Sequence, residues 1–494
     1  MVTPPGWDLH RKPSYGPVFA GGVFNNLLAY DLTKKEIGTG TLVPELAEKW
    51  TVSADGTAIT FNLRKDVKWH NGDALNADDV VYSITKMMDS KRSTMSTDFP
   101  AYDGVSKLDD STVKVTLKFP SPSFLVQLGS PYAAIQNPKT ADVDFRTNAF
   151  LMGTGPFMLK SYITGSTMEL VRNPNYFKKD TAGKQLPYLD GITVSIFSDR
   201  SAVLNAMAAG QLDGHASFAL NNQDEFDKVM GINKTFGAQP YNVPGIALVW
   251  LNPKFKPFQD VRVRQALRLL IDKAQLTLAG YGDLRWNDPN RTILTGAYGL
   301  EAAEMNKLIG YDMTYEQRVA KAQQLMKDAG YADGFKMRYV GRQLGEFTRM
   351  SSWLADQYKK YLKIDVEILA REINEARKLR DAGDYEFYLD NPLVLVGDPD
   401  EYSSWFKTTG ANNFAKTGNA ETDKLWDAQS REMDFAKRQE ICKNIERNVI
   451  NDAWIFNLQN NTYCAGFQSY VKGFTPHVLV YDNKYRMETV WIDK

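Results

Sequence analysis

Several short patterns in the chain hold residue types that carry chemistry elsewhere. Ser83-Ile84-Thr85-Lys86 has the S-x-x-K spacing, one helical turn, that sets a hydroxyl beside an amine able to take its proton. Lys416-Thr417-Gly418 matches the K-T-G element that accompanies it in penicillin-recognising acyl enzymes. The third element, S-D-N, is missing, and the neighbours of Ser83 carry a helical apolar stripe, so Ser83 reads as a surface position. Gly153-Thr154-Gly155 opens like a dinucleotide cradle, yet it has no third glycine and runs through Pro156-Phe157 into strand-like sequence. Asp398-Pro399-Asp400-Glu401 is acidic enough for calcium but lacks the glycine and terminal glutamate of an EF-hand loop, which favours a solvated turn. Arg342 follows a strand and offers a guanidinium fork for an anion, a reading that composition alone does not separate from a surface arginine. No G-x-S-x-G elbow, H-E-x-x-H or P-loop occurs.

Metal and redox chemistry have little to work with. The four histidines, His10, His70, His215 and His477, and the two cysteines, Cys442 and Cys464, are not spaced as zinc or haem ligands. The cysteines suit either one disulfide in an oxidising compartment or two buried thiols. The chain has 494 residues, with 59 basic and 59 acidic side chains interleaved throughout, so no basic surplus points to nucleic acid. Its 43% hydrophobic and 24% charged residues mark a folded globular chain, and its length implies two or three domains. No stretch reaches the roughly 18 apolar residues of a membrane helix. The opening Met1 to Trp7 lacks the basic and apolar regions of a secretion signal, which suits a cytoplasmic protein or a mature chain given a new initiator. The 10 tryptophans and 24 tyrosines supply core, and any that reach a cleft supply stacking surfaces.

The elements that must position these residues are legible from periodicity. Trp50 and Val52, then Ile59, Phe61 and Leu63, alternate about Asp55-Gly56 as a β-hairpin with one buried face. Asn76 with Asp79 caps a helix whose stripe is Val80, Val81, Ile84 and Met87 or Met88. Strands are expected at 112–119, 155–162, 166–172 and at Ile192, Val194 and Ile196, and a helix capped by Ser198 or Asp199 ends at Gly210. Beyond Tyr241 strands at 246–252, 336–340, 364–369, 385–390 and 454–458 alternate with helices at 260–272, 316–329, up to 361, 373–382, and from 420 and 435. That alternation predicts a largely parallel sheet covered on both faces.

Taken together, Leu42-Val43-Pro44-Glu45-Leu46-Ala47-Glu48-Lys49-Trp50, Thr60-Phe61-Asn62-Leu63-Arg64, Val67-Lys68-Trp69-His70-Asn71-Gly72 and Ala77-Asp78-Asp79-Val80-Val81-Tyr82-Ser83 resemble the signature of family 5 extracellular solute-binding proteins, the dipeptide, oligopeptide and nickel receptors of ABC importers. Gly153-Thr154-Gly155-Pro156-Phe157, Gly210-Gln211-Leu212-Asp213 and Val261-Arg262-Val263-Arg264-Gln265-Ala266-Leu267 extend the likeness in order along nearly the whole chain. The resemblance implies an α/β, two-lobed clamp of the periplasmic-binding-protein type II class, enlarged by a mostly β subdomain. Its first lobe would be discontinuous (1–38, 155–243 and 459–494), the inserted subdomain 39–154 and the second α/β lobe 244–458.

Such a clamp closes on a solute because only the closed form touches it from both sides. The site residues set by this reading are Phe24, Asn25, Tyr132, Trp250, Arg342, Tyr388, Asp390, Asn391, Leu395, Asp398 and Trp405. Peptide-binding relatives pair the ligand ammonium with an aspartate four residues before the proline of a segment resembling Gly397-Asp398-Pro399-Asp400, and here that position is Leu395. Asn25 likewise stands where oligopeptide binders resemble it with an acid. A free peptide N-terminus would then lack its charged partner unless Asp390 or Asp398 substitutes, so the expected ligand is a neutral or anionic organic solute such as a glycoside or organic acid. The implied partners are that solute and the ABC permease subunits, with no cofactor, no nucleic acid and a monomeric receptor. The implied location is periplasmic, or extracellular and anchored to the membrane only through a removed signal or lipid. A peptide receptor, a sensory or chaperone-like binder and, remotely, a serine acyl enzyme are the alternatives.

Overall fold

The computed structural model describes residues 8–10, 22–31, 33–34, 38–140, 151–197, 199–217, 220, 222–286, 293–294, 296–392, 394, 396–474 and 487–494. The chain forms two compact units, the first Met1–Leu220 with Asp227–Tyr241 and Cys464–Lys494, the second Asn221–Phe226 with Asn242–Tyr463.

In the first unit the hairpin expected about Asp55-Gly56 is present as strands Ala47–Val52 and Ala58–Leu63, joined in antiparallel register. Asp55 accepts hydrogen bonds from the Ser53 and Thr57 hydroxyls and the Thr57 amide, and Gly56 takes a φ of 69° that a side chain would oppose. Thr112–Leu117 pairs with Ala58–Leu63 and with Tyr102–Asp109, so Ile59 faces Val115 and Phe61 faces Val113 on the buried side. Helix Ala77–Met88 covers this sheet with Val80, Ile84 and Met87, and starts in a capping box between Asn76 and Asp79.

Ser83 is buried on that same helix rather than on the surface: its hydroxyl accepts the Gln136 amide at 2.9 Å. Lys86 is buried too, and its ammonium reaches Asp8 at 3.1 Å and Gln136 at 2.6 Å. A helical stripe drawn from apolar residues alone misses such polar positions, which enter a core when a partner across the fold satisfies them.

A second antiparallel sheet of this unit joins Phe157–Ile163, Thr167–Arg172 and Gly191–Ser195. It packs Phe157, Met168 and Leu170 with Val23 and Phe24. Here the G-x-G shows its use, since the Gly155 amide donates to the Val23 carbonyl at 2.9 Å and the Phe157 amide to Gly22 at 2.8 Å. A Cβ on Gly153 would lie 1.8 Å from the Val23 oxygen, so glycine is required for two backbones to touch.

His70 locks the same turn. Its Nε2 lies 3.1 Å from the Gly155 carbonyl while Nδ1 accepts the Gly153 amide at 3.3 Å, a pattern that fixes the neutral ring with its proton on Nε2. Burial lowers the His70 pKa from 6.5 to about 4 against the weaker opposing pull of the Gly155 carbonyl. Burial and the Lys86 ammonium do the same to His10, with Asp8 opposing, again to about 4. The unfolded chain therefore takes protons near pH 6.5 that the fold refuses until about 4, and stability present above 6.5 is lost as pH falls through that window. Each histidine is expected to contribute about 3 kcal/mol across it. Urea melts should weaken between pH 6.5 and about 5, before ordinary carboxylates titrate, and His70→Asn should flatten that slope.

In the second unit the strand Lys336–Arg342 lies between Asp365–Arg371 and Phe387–Asp390, parallel to both. Helices Gly345–Leu362 and Ile373–Ala382 make the crossovers. The sheet is mixed, however, because Leu248–Leu251 of the long strand Phe236–Leu251 pairs antiparallel with Phe387–Asp390. The parallel rule binds strands joined by a helical crossover, and this strand precedes the first such unit. Strand Ile455–Gln468 also runs well past the expected 454–458.

The helix expected at 260–272 is Val261–Leu269, and a separate helix, Lys273–Tyr281, follows it, capped by Asp272, which accepts the Gln275 amide at 3.0 Å. Val261–Leu269 also ends its neighbour. Arg264 donates to the Asp452 carbonyl at 2.8 Å, Gln265 to Asn451 at 3.0 Å and Arg268 to Ile450, so three side chains satisfy the last turn of helix Phe435–Asp452. From inside that long helix the buried Glu446 accepts the amides of Ile293, Leu294 and Leu300, on either side of the 3-10 turn Gly296–Tyr298. No helix among the described residues is long and apolar enough to cross a membrane.

Candidate functional site

Parallel strands end with their carboxyl edges together, and the loops beyond such an edge are where open α/β sheets bind ligands. At this edge of the second unit stand Arg342 and Asp390, the last residues of their strands. Arg342 approaches Asp390 at 3.5 Å and Arg380, near the end of helix Ile373–Ala382, approaches it at 4.0 Å. The Tyr388 hydroxyl donates to Asp390 at 3.1 Å and the Asn391 amide at 2.8 Å. Burial, with the Asp390 charge adding to it, raises the Tyr388 pKa well above its usual value, so Tyr388 stays a donor at all physiological pH.

Asp390 is thus surrounded by donors and cations. Arg342 remains about a quarter exposed and its buried Nε has no partner among the described residues, so this guanidinium keeps donor capacity that they do not use. Arg380 instead lies 3.8 Å over the Phe414 ring and gives its Nε to Asp381 at 2.8 Å.

The other expected site residues of this unit are distributed as follows. Trp250 is fully buried, its ring 5.3 Å from Phe414 and 6.0 Å from Tyr388, so it backs the same cluster from the core. Trp405 packs in that core on Tyr402. Asn391 is half-buried, and Leu395 lies outside the described residues. Asp398 caps helix Pro399–Phe406 and accepts both terminal nitrogens of Arg438, at 2.7 and 2.9 Å, with both side chains buried. Its carboxylate therefore belongs to an internal ion pair, which Gln429 and the Tyr298 hydroxyl extend. The acidic run at 398–401 is a helix start rather than a solvated turn.

In the first unit Asn25 is buried, donating to Glu45 at 2.9 Å and accepting the Thr154 hydroxyl at 3.1 Å, while Lys178 meets Glu45 at 3.0 Å. Phe24 is a core residue and Tyr132 is buried in the turn Pro131–Ala133.

Reasoning from sequence missed Arg380, Phe414, Glu45 and Lys178. Arg380 carried a usable signal, since a basic residue in a last helical turn just before a strand is brought to that strand's neighbourhood. Phe414 carried none. No group of three or more metal-ligating side chains occurs among the described residues, and Cys442 and Cys464 are buried free thiols, so the alternative of a disulfide between them is not adopted.

Residues 41–414 match the family profile described as bacterial extracellular solute-binding proteins, family 5. The chain belongs to the family 5 extracellular solute-binding proteins. Among curated relatives, it is similar to di/tripeptide-binding protein 1 of Pseudomonas aeruginosa, 29% identical over 86% of this chain and 80% of the relative. It is also similar to haem-binding protein A of Haemophilus influenzae, 26% identical over 94% and 86% of the two chains. Among solved structures, the substrate-binding protein CtaP of Listeria monocytogenes superposes with a TM-score of 0.84 at 22% identity, covering 100% of this chain and 98% of that one. The binding protein AgaA of A. tumefaciens R10, solved with agropinic acid, gives 0.77 at 22% identity, covering 100% and 97%.

This family 5 protein has the mixed α/β two-lobed fold of its structural neighbours. Members of the family are the periplasmic or extracellular solute-binding components of ABC importers, and they bind and hand on solutes rather than transform them. The S-x-x-K and K-T-G patterns accordingly fall in segments used for folding: Lys86 pairs with Asp8, and the Lys416 ammonium donates to the Gly410 carbonyl at 2.6 Å.

Proposed function

We propose that this receptor captures an organic solute bearing a carboxylate and delivers it to an ABC import permease, with Arg342 as the group that takes the carboxylate. The observation carrying the proposal is the Arg342 guanidinium at the carboxyl edge of the second unit's parallel strands, with a buried Nε that no group of the described residues meets. Asp390 already has two guanidiniums and a tyrosine hydroxyl against it, which weakens any call on it by a ligand ammonium. Binding proteins of the same fold solved with agropinic acid and with mannopinic acid show that the architecture accommodates acidic organic solutes.

A dipeptide or tripeptide is the second reading, favoured by the printed names of relatives such as the di/tripeptide-binding protein of Pseudomonas aeruginosa. Calorimetry against organic acids, sugar–acid conjugates, glycosides and di- and tripeptides separates the two. Arg342→Met is expected to weaken a carboxylate-bearing solute by roughly 30- to 100-fold while leaving the melting temperature nearly unchanged, as befits loss of a charge-assisted bidentate contact. Tight binding of ordinary di- and tripeptides, unaltered by Arg342→Met and with no acid bound, would defeat the proposal.

A further inference from the structure

The second unit contains a small cavity lined by Arg268, Lys273, Tyr311 and Asn457 among apolar walls that include Ile309 and Ile450. Arg268 is buried, and one terminal nitrogen donates to the Ile450 carbonyl at the end of helix Phe435–Asp452. Its Nε is buried without a partner among the described residues. Of the other buried arginines of this unit, Arg318 lies 3.6 Å from Asp272 and Arg438 lies 2.7 Å from Asp398, whereas Arg264 gives its guanidinium to the Asp452 and Phe258 carbonyls at 2.8 and 2.7 Å. Among the described residues Arg268 meets no carboxylate within ion-pair distance, and no acidic side chain lines the cavity.

An arginine cannot shed its charge to escape this position. Burial lowers the Arg268 pKa only to about 10, which leaves it cationic at neutral pH. A buried cation with a spare donor and no counter-charge among the described residues is unfavourable unless something compensates it, and one peptide carbonyl at a helix end is a partial answer.

We propose that this cavity binds a small monovalent inorganic anion of about chloride size, held by the Arg268 guanidinium through its Nε. The space suits a water-sized occupant and is too small for sulfate, phosphate or an organic acid. Neither Arg342 nor Asp390 lines it, so the site is separate from the one proposed for the transported solute. Its role is to complete the charge balance where helix Val261–Leu269 joins the end of helix Phe435–Asp452.

Bromide replaces chloride and scatters anomalously, so crystals of the full chain grown in sodium bromide test the site directly. The expected result is a bromide peak within hydrogen-bond distance of the Arg268 Nε. Density there without anomalous signal, which is water, or no density at all, would overturn the proposal. Thermal melts in sodium chloride against sodium gluconate at equal ionic strength should show a saturable rise of a few degrees in chloride. Arg268→Gln, which keeps an amide donor for Ile450, should abolish that rise. Identical wild-type melts in the two salts would also overturn it, and this comparison stands even if the variant fails to fold.

Discussion

Replacing Asp398 with alanine is expected to destabilise the protein by about 3–5 kcal/mol, because it strands the Arg438 guanidinium in the core. Both side chains are essentially inaccessible, and the fork is bidentate. Burial works against the Arg438 cation and Asp398 more than offsets it, so the arginine stays charged. Alanine also removes the cap that accepts the Asp400 amide at 3.0 Å, about 1 kcal/mol more. Asn, which keeps one acceptor and the cap, should cost less than Ala. Pairing Asp398→Leu with Arg438→Met should recover much of the loss, since an apolar pair of similar volume does not carry the desolvation of two charges. Denaturant melts of the single and double variants give the coupling directly. A single Asp398→Ala within about 1 kcal/mol of wild type would show that the pair is not what holds this part of the unit.

The same carboxylate shows where sequence reasoning reached and where it stopped. Asp398 and Asp390 are both acids near a strand end, and nothing in their spacing distinguishes them. The difference lies in Arg438, forty positions further on, which folds back onto one of them and not the other. Helices Ile373–Ala382, Ala420–Gln429 and Phe435–Asp452 were legible because caps and 3.6-residue periodicity are local. The antiparallel placement of Phe236–Leu251 was not, since strand direction depends on pairing between distant segments. Arg342 could be named from its type and its place after a strand. For its companion Arg380 the basic last helical turn was a usable local signal, but the meeting of the two at Asp390 is a property of the sheet order Phe387–Asp390, Lys336–Arg342, Asp365–Arg371. Buried Ser83 and Lys86 escaped for a related reason: an apolar stripe reports which side of a helix faces inward, not which polar residues are satisfied there.

Gly153→Ala should be the second severe substitution, costing about 3 kcal/mol or more. The new methyl would meet the Val23 oxygen at 1.8 Å and its carbonyl carbon at 2.7 Å, and backbone cannot rotate aside as a side chain can. Relief requires parting two segments that the Gly155 and Phe157 amides hold together. Gly155→Ala should behave alike, with contacts of 2.5 Å to the Val23 carbon and 2.6 Å to the Gly22 oxygen. Gly40→Ala is the control, since nothing lies within 4 Å of a Cβ there, and its melting temperature should match wild type. If Gly153→Ala melted with the control, the close approach of the two segments would be wrong.

The capping of helix Phe435–Asp452 by Arg264, Gln265 and Arg268 sets the order in which this chain can become native. The donors and their carbonyls are 182 to 188 positions apart, so these side chains must wait for that much more chain to be made before they meet the groups they serve. The first unit waits longer still, because Gly214–Ser217 pairs with Phe467 to Cys464. Neither unit can finish until its late partner has been made, Asp452 in one and Phe467 in the other, which leaves a newly born chain open and available to whatever machinery must handle it before it closes.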